Sequence, residues 1–176
     1  FSDPTTPSNI GNIDIMSFGA SAQSVDVKNG IVAIAVSANV VTDLGSVVFT
    51  DIDGNNAVQI EAGALPDMIV FTPDGTKVLV ANEGEPSQDY TIDPEGSVTV
   101  IDVTGGLGGI TQANVTQINF NAFDSQQATL IANGVRIYGP GASVSQDLEP
   151  EFITVTQDSQ TAYVALQENN AYAIID

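Results

Sequence analysis

The chain has 176 residues, with 22 Asp and Glu against 3 Lys and Arg, a formal charge of −19, and no His, Cys or Trp. Its length suffices for one domain with a real core, and its composition excludes a Cys/His zinc site, a Ser-His-Asp triad, a cysteine nucleophile and a disulfide framework. Three cations cannot build the basic face that nucleic acid or an anionic membrane requires.

Hydrophobic residues make up 43% of the chain and charged residues only 14%, so enough apolar surface is present to fold despite the acidity. The remaining polar positions are mostly Ser, Thr, Asn, Gln and Gly, which suits a secreted or cell-surface protein. No apolar run is long enough to span a bilayer, so membrane insertion is not expected.

In chain order, Asn9–Ile15 reads as a lone strand after a turn over Ser2–Pro7. Ser24–Val27 and Ile31–Val36 are strands joined by Lys28-Asn29-Gly30. Gly45–Thr50 follows, then the turn Asp51–Asn56, then the strand Ala57–Ile60. Met68–Thr72, Lys77–Asn82, Ser97–Val103 and Asn114–Phe120 repeat that order, and Phe152–Ala165 and Ala171–Asp176 begin it again. Val, Ile and Thr dominate the runs, while Gly, Pro, Asn and Asp bound them. Within 121–133, the apolar spacing of Phe123, Leu130 and Ile131 predicts a short helix that Asn133-Gly134 stops.

A four-stranded unit of about 40–45 residues is the size of a β-propeller blade. The expected fold is therefore all-β, with about three blades' worth of four-stranded antiparallel sheets. The expected units are 1–20 (last strand of a preceding blade), 21–62 and 63–120 (two blades), 121–149 (an insertion) and 150–176 (three strands of a further blade). Closed propellers have about 4–8 blades, so the chain reads as part of a larger propeller. The expected partner is either the remaining blades or another chain completing the open sheet edge.

In a propeller, D-to-A and B-to-C connections share one face. Here that face collects Asp43, Asp67, Glu83, Glu85, Asp89, Asp93, Glu95, Asp147, Glu149, Glu151 and Glu168, half of the 22 acids. The densest stretch, Asn82–Gly96, offers Glu83, Glu85, Asp89, Asp93 and Glu95 on a Gly/Pro-shaped loop. Calcium takes six to eight oxygens in irregular geometry, which suits this set. A solvated acidic loop is the other reading. Asp67, Glu149, Glu151 and Glu168 fall near the starts of inner strands or just after a second strand, at the expected channel mouth. There they either bind a metal and activate its water or accept hydrogen bonds from a neighbouring blade. Arg136, the only Arg, either makes an ion pair with the Asp147–Glu151 segment or holds a phosphate.

Several ordered motifs carry a resemblance: Leu65-Pro66-Asp67-Met68, Phe71-Thr72-Pro73-Asp74-Gly75, Asn82-Glu83-Gly84-Glu85-Pro86-Ser87, Gly134 to Ala142, Gln146 to Glu151 and Leu166-Gln167-Glu168-Asn169-Asn170. The sequence resembles the bacterial extracellular choice-of-anchor I family over most of residues 20–176. That family has animal relatives among mesenchyme-specific cell-surface glycoproteins. More loosely, the repeat is similar to lactonase-like propellers with a YVTN-type blade. The resemblance implies an extracellular propeller, and the family's association with alkaline phosphatase implies possible hydrolase chemistry. The leading expectation is a secreted or cell-surface calcium-binding module for interaction and surface recognition. The alternatives are a metal-dependent phosphoester hydrolase and a lactonase-like hydrolase with its site at the acidic mouth.

Overall fold

A computed structural model describes residues 5–9 and 11–176. Among the described residues, eleven strands form three separate antiparallel sheets. The first contains β1 (Ser21–Lys28), β2 (Ile31–Ser37), β3 (Leu44–Asp51) and β4 (Val58–Ala64), paired in chain order. The second repeats this with β5 (Pro66–Phe71), β6 (Lys77–Asn82), β7 (Ser97–Asp102) and β8 (Val115–Asn119). The third has β9 (Phe152–Val155), β10 (Ala162–Leu166) and β11 (Ala171–Ile175). The first strands of the sheets, β1, β5 and β9, neighbour one another in turn. This is the stacking of propeller blades around an axis, and the three blades do not close a ring.

Tight turns make the meander. Asp51, between β3 and β4, shows the device: its Oδ1 accepts the N–H groups of Asp53 and Asn55, and its Oδ2 accepts Asn56 Nδ2–H. A short carboxylate thus satisfies the turn's own backbone.

The core lies between blades. Ala33, Ala35, Val47 and Phe49 of the first blade pack on Ile69, Phe71, Val78, Val80 and Ile101 of the second. Strand alternation leaves Leu79, Ala81 and Val98 for the other side, against Ile153, Ala162 and Val164 of the third. Phe49 and Ile101 are wholly buried, and burial of such a side chain is worth roughly 1.5–3 kcal/mol. Gly63 permits close approach between blades, since a Cβ there would strike the Asn82 side chain and Ser97 Oγ. Hydrogen bonds also cross the blades: Asp26 Oδ2 accepts Phe71 N–H at 2.8 Å, and Ser159 Oγ accepts Asp74 N–H at 3.0 Å.

The segment before β1 differs from expectation. Part of the expected opening turn, and Ile10 of the expected strand, fall outside the described residues. Residues 11–15 form no strand with the described residues. Ile13, Ile15 and Phe18 instead cover the free face of the first blade, against Val32, Ile34, Val36 and Val48.

The insertion holds the expected helix, as a 3-10 turn (Asn121–Gln126) running into α1 (Gln127–Ala132). A second short helix, α2 (Val144–Asp147), is capped by Ser143, whose Oγ accepts Gln146 N–H while Gln146 Oε1 accepts Ser143 N–H. That reciprocal pair is a capping box.

Candidate functional site

Three of the connections expected on one face line a common cavity. Residues from 82–96, 121–151 and 166–170 line an open cavity of about 370 Å³ at one end of the blades. Its walls are Glu83, Glu85, Glu149, Glu151 and Glu168 with Pro86, Tyr90, Tyr138 and Gln167. Asp67, at the start of β5, is close enough for its charge to act on Glu83 and Glu151. No Lys or Arg is among the lining residues.

Backbone N–H bonds, between blades at Glu83 and Gly84 and within the third blade at Glu151, place these carboxylates. Glu83 N–H donates to the Leu65 carbonyl at 3.0 Å, and Gly84 N–H to the Ala64 carbonyl at 3.1 Å, so the loop after β6 is tied to the exit of the first blade. Gly84 has φ of +69°, and a Cβ there would meet the Glu95 backbone. Glu151 N–H donates to the Ala165 carbonyl at 3.0 Å. Glu149 N–H donates to Asn169 Oδ1 at 3.0 Å. Asn169 is wholly buried, and its Nδ2 donates to the carbonyls of Arg136 and Asp147.

Asp147, also buried, accepts the N–H groups of Tyr138 and Gly139 and so sets Tyr138 on the cavity wall. Gln146 Nε2–H donates to the Asp93 carbonyl at 2.8 Å, joining the insertion to the 82–96 loop. Asp124 accepts Ser145 N–H at 2.8 Å and fastens the helical part to α2.

The electrostatics follow from crowding without cations. Burial first, then the charges of Asp67, Glu151, Glu85 and Glu149, push the Glu83 carboxyl up to about 8. Burial, followed by Glu168, Asp147, Glu85 and Glu151, pushes Glu149 up to about 7. Burial is also the leading cause raising Asp67 and Glu151. Tyr138 is pushed up to about 12, by burial and then by Glu149, Glu168 and Asp147. At neutral pH this wall holds protons that isolated carboxyls would have released.

The acidic loop divides between two environments. Glu83 and Glu85 join the cavity, whereas Asp89, Asp93 and Glu95 are not among its lining residues. Asp89 Oδ1 accepts from Ser87 Oγ, Thr91 N and Thr91 Oγ1, ordering its own turn and lowering its pKa. Glu95 accepts Asn121 Nδ2–H at 2.8 Å. Asp93 is raised by burial and then by Asp147. Of the expected mouth group, Glu149, Glu151 and Glu168 line the cavity together with Glu83 and Glu85, whereas Asp67 is not among its lining residues. Among the described residues, no three acidic side chains are placed to hold a metal ion as they stand.

Arg136 is found over the Tyr138 ring, 5.0 Å from its centroid, a cation–π contact at the cavity's rim. Tyr90 and Tyr138 were not among the expected site residues. Their sequence signal is their place beside turns, Tyr90 within the acidic loop and Tyr138 before Gly139-Pro140-Gly141.

The family model for the choice-of-anchor I domain matches residues 1–176. No curated protein sequence matches the chain. Among solved structures, the chain is similar to hydrazine synthase of Kuenenia stuttgartiensis, with 15% identity and a TM-score of 0.51. The match covers 87% of this chain and 38% of that one. At that identity the likeness supports the β-rich fold alone.

Proposed function

The chain belongs to the choice-of-anchor I family, and from that premise we propose that it is a surface-associated extracellular module whose acidic mouth binds Ca²⁺. The family's description supports the surface location, and no helix among the described residues is long and apolar enough to cross a membrane. One observation carries the ligand: five glutamates line a single cavity with no cationic side chain among its walls. Such a group lowers its energy by taking up protons or a cation. Its donors are all hard oxygens, which favour Ca²⁺ over softer metals. Glu83, Glu85, Glu149, Glu151 and Glu168 are the proposed donors, and binding requires these side chains to turn inward.

Hydrolysis finds less support. A phosphate entering the cavity meets a wall of carboxylates, and Arg136 is engaged with Tyr138 at the rim. Calorimetric titration of the chelated protein with Ca²⁺ and, separately, Mg²⁺ tests the reading. Ca²⁺-selective heat that is lost in Glu83→Gln/Glu149→Gln supports it; no heat at millimolar Ca²⁺ overturns it. Phosphoester and lactone substrates with Ca²⁺ present test the alternatives.

A further inference from the structure

The first blade carries an open groove of about 530 Å³ that shares no residue with the acidic mouth. Its volume falls within the roughly 300–1,000 Å³ of small-molecule sites. Its walls come from Phe18 and Gly19, the connection from β2 to β3, and Gln59 and Glu61 of β4. The second blade adds Gln112, from a 3-10 turn over Gln112–Asn114.

Hydrogen bonds hold these walls in place. Gln59 Nε2–H donates to the Phe18 carbonyl and to Ser46 Oγ, both at 3.0 Å. Gln112 Oε1 accepts Glu61 N–H at 2.8 Å, and its Nε2–H donates to the Glu61 carbonyl at 3.2 Å. Asp43 N–H donates to the Val40 carbonyl at 2.9 Å and sets the turn before β3. With these bonds made, the side chains of Asn39, Asp43 and Glu61 pair with no other described residue. All three are exposed.

The lining selects a ligand class. No Lys or Arg stands in the groove, and Asp43 and Glu61 repel an anion. Gln112 occupies both backbone groups of Glu61, so a peptide cannot add there as a strand. What remains is a set of planar amides and carboxylates beside Phe18 and Leu44, and Leu44 is 57% exposed. A carboxylate accepts hydrogen bonds on both oxygens, and an amide accepts at one atom and donates at the other. Adjacent hydroxyls of a pyranose ring meet both patterns, and its C–H face packs against an apolar side chain. We propose that this groove binds a neutral oligosaccharide, with Asn39, Asp43 and Glu61 holding its hydroxyls and Leu44 packing on a ring face. This inference does not rest on the calcium reading.

Heteronuclear NMR of the labelled protein with chelator present tests it, by titration with maltotriose, cellotriose and triacetylchitotriose. These neutral probes differ in linkage and substituent. The expected result is a saturable shift with at least one of them, at the amides of Asn39, Asp43 and Leu44 and at the side-chain amide of Gln59. Asn39→Ala and Asp43→Ala remove side chains that hold nothing else in the fold. Each is expected to weaken binding about tenfold or more while the rest of the spectrum stays in place. The mouth variant Glu83→Gln/Glu149→Gln is expected to bind the probe as the parent does. No saturable shift with any probe at about 10 mM overturns the proposal. Shifts that map to the mouth, or that survive both Asn39→Ala and Asp43→Ala unchanged, overturn it as well.

Discussion

The side-chain Oδ1 of Asn169 accepts the backbone N–H of Glu149 at 3.0 Å. The same buried amide donates to the carbonyls of Arg136 and Asp147, so one side chain sets the insertion's path and aims a mouth carboxylate. Asn169→Ala removes the partner of three backbone groups, one in a buried bond and two in partly buried ones. It is expected to cost about 1–3 kcal/mol, read as a lower midpoint in a thermal melt, with weaker Ca²⁺ heat because Glu149 is no longer fixed. An unchanged midpoint would count against this role.

Stability of the chelated protein is expected to fall as pH rises toward 8. Glu83 and Glu149 are raised to about 8 and about 7 in the fold, from an ordinary 4.5. An acid raised on folding contributes stability that is full below its unfolded pKa and lost as pH climbs through its folded value. At the acid end the sign reverses. Asp74, lowered to about 2 by its Thr72 and Thr76 bonds, contributes stability above 3.8 that is lost as pH falls toward 2. A series of thermal melts from pH 2 to 9 checks both limbs.

The variant Glu83→Gln/Glu149→Gln keeps shape and removes two charges from the crowded wall. It is expected to raise the midpoint at pH 8 and flatten its decline between pH 5 and 8. It is also expected to abolish the stabilisation that saturating Ca²⁺ gives the parent, on the order of 2–3 kcal/mol at a hundredfold excess over the dissociation constant. Parallel melts with chelator and with Ca²⁺ measure both effects.

Gly84→Ala puts a Cβ against the Glu95 backbone at a φ of +69°. A cost of about 1–3 kcal/mol is expected. Proteolysis of the 85–95 loop should accelerate, as mass spectrometry of a limited digest would show. Gly106→Ala, also at positive φ but with nothing within 4 Å, should cost less and leave that loop protected.

Much of the fold was legible because its strands are local. Val, Ile and Thr runs bounded by Gly, Pro and Asp mark β2, β3, β6 and β7 within a residue or two at each end. Their recurrence marked the blades. The segment before β1 read as the last strand of a preceding blade, and a strand exists only where an edge pairs with it. Helix α2 was not foreseen, because its four residues hold through the Ser143–Gln146 capping box and Asp124 rather than through periodicity.

That the loops after β6 and β10 and the segment before β9 share an end was legible for a topological reason: strand order alone assigns each loop to one end or the other. Which acids share a cavity was not. Glu85 and Glu168 are far apart in sequence yet line one wall, while Asp89, four residues from Glu85, turns back to cap its own loop. Single hydrogen bonds between segments distant in sequence made that choice, as at Asn169, and no local pattern records them.

The sequence by itself determined the strands, their grouping into blades, and the end of the blades at which the acids gather. Those follow from period-two alternation and turn chemistry, which act over a few residues. Only the tertiary structure decided that Glu83 and Glu149 hold protons near neutrality and that Asn169 anchors the mouth. It also decided that Asp43 and Glu61 share a groove with Gln112. Each of these depends on burial and on neighbours brought from distant segments, and desolvation and crowding exist only once the blades have stacked.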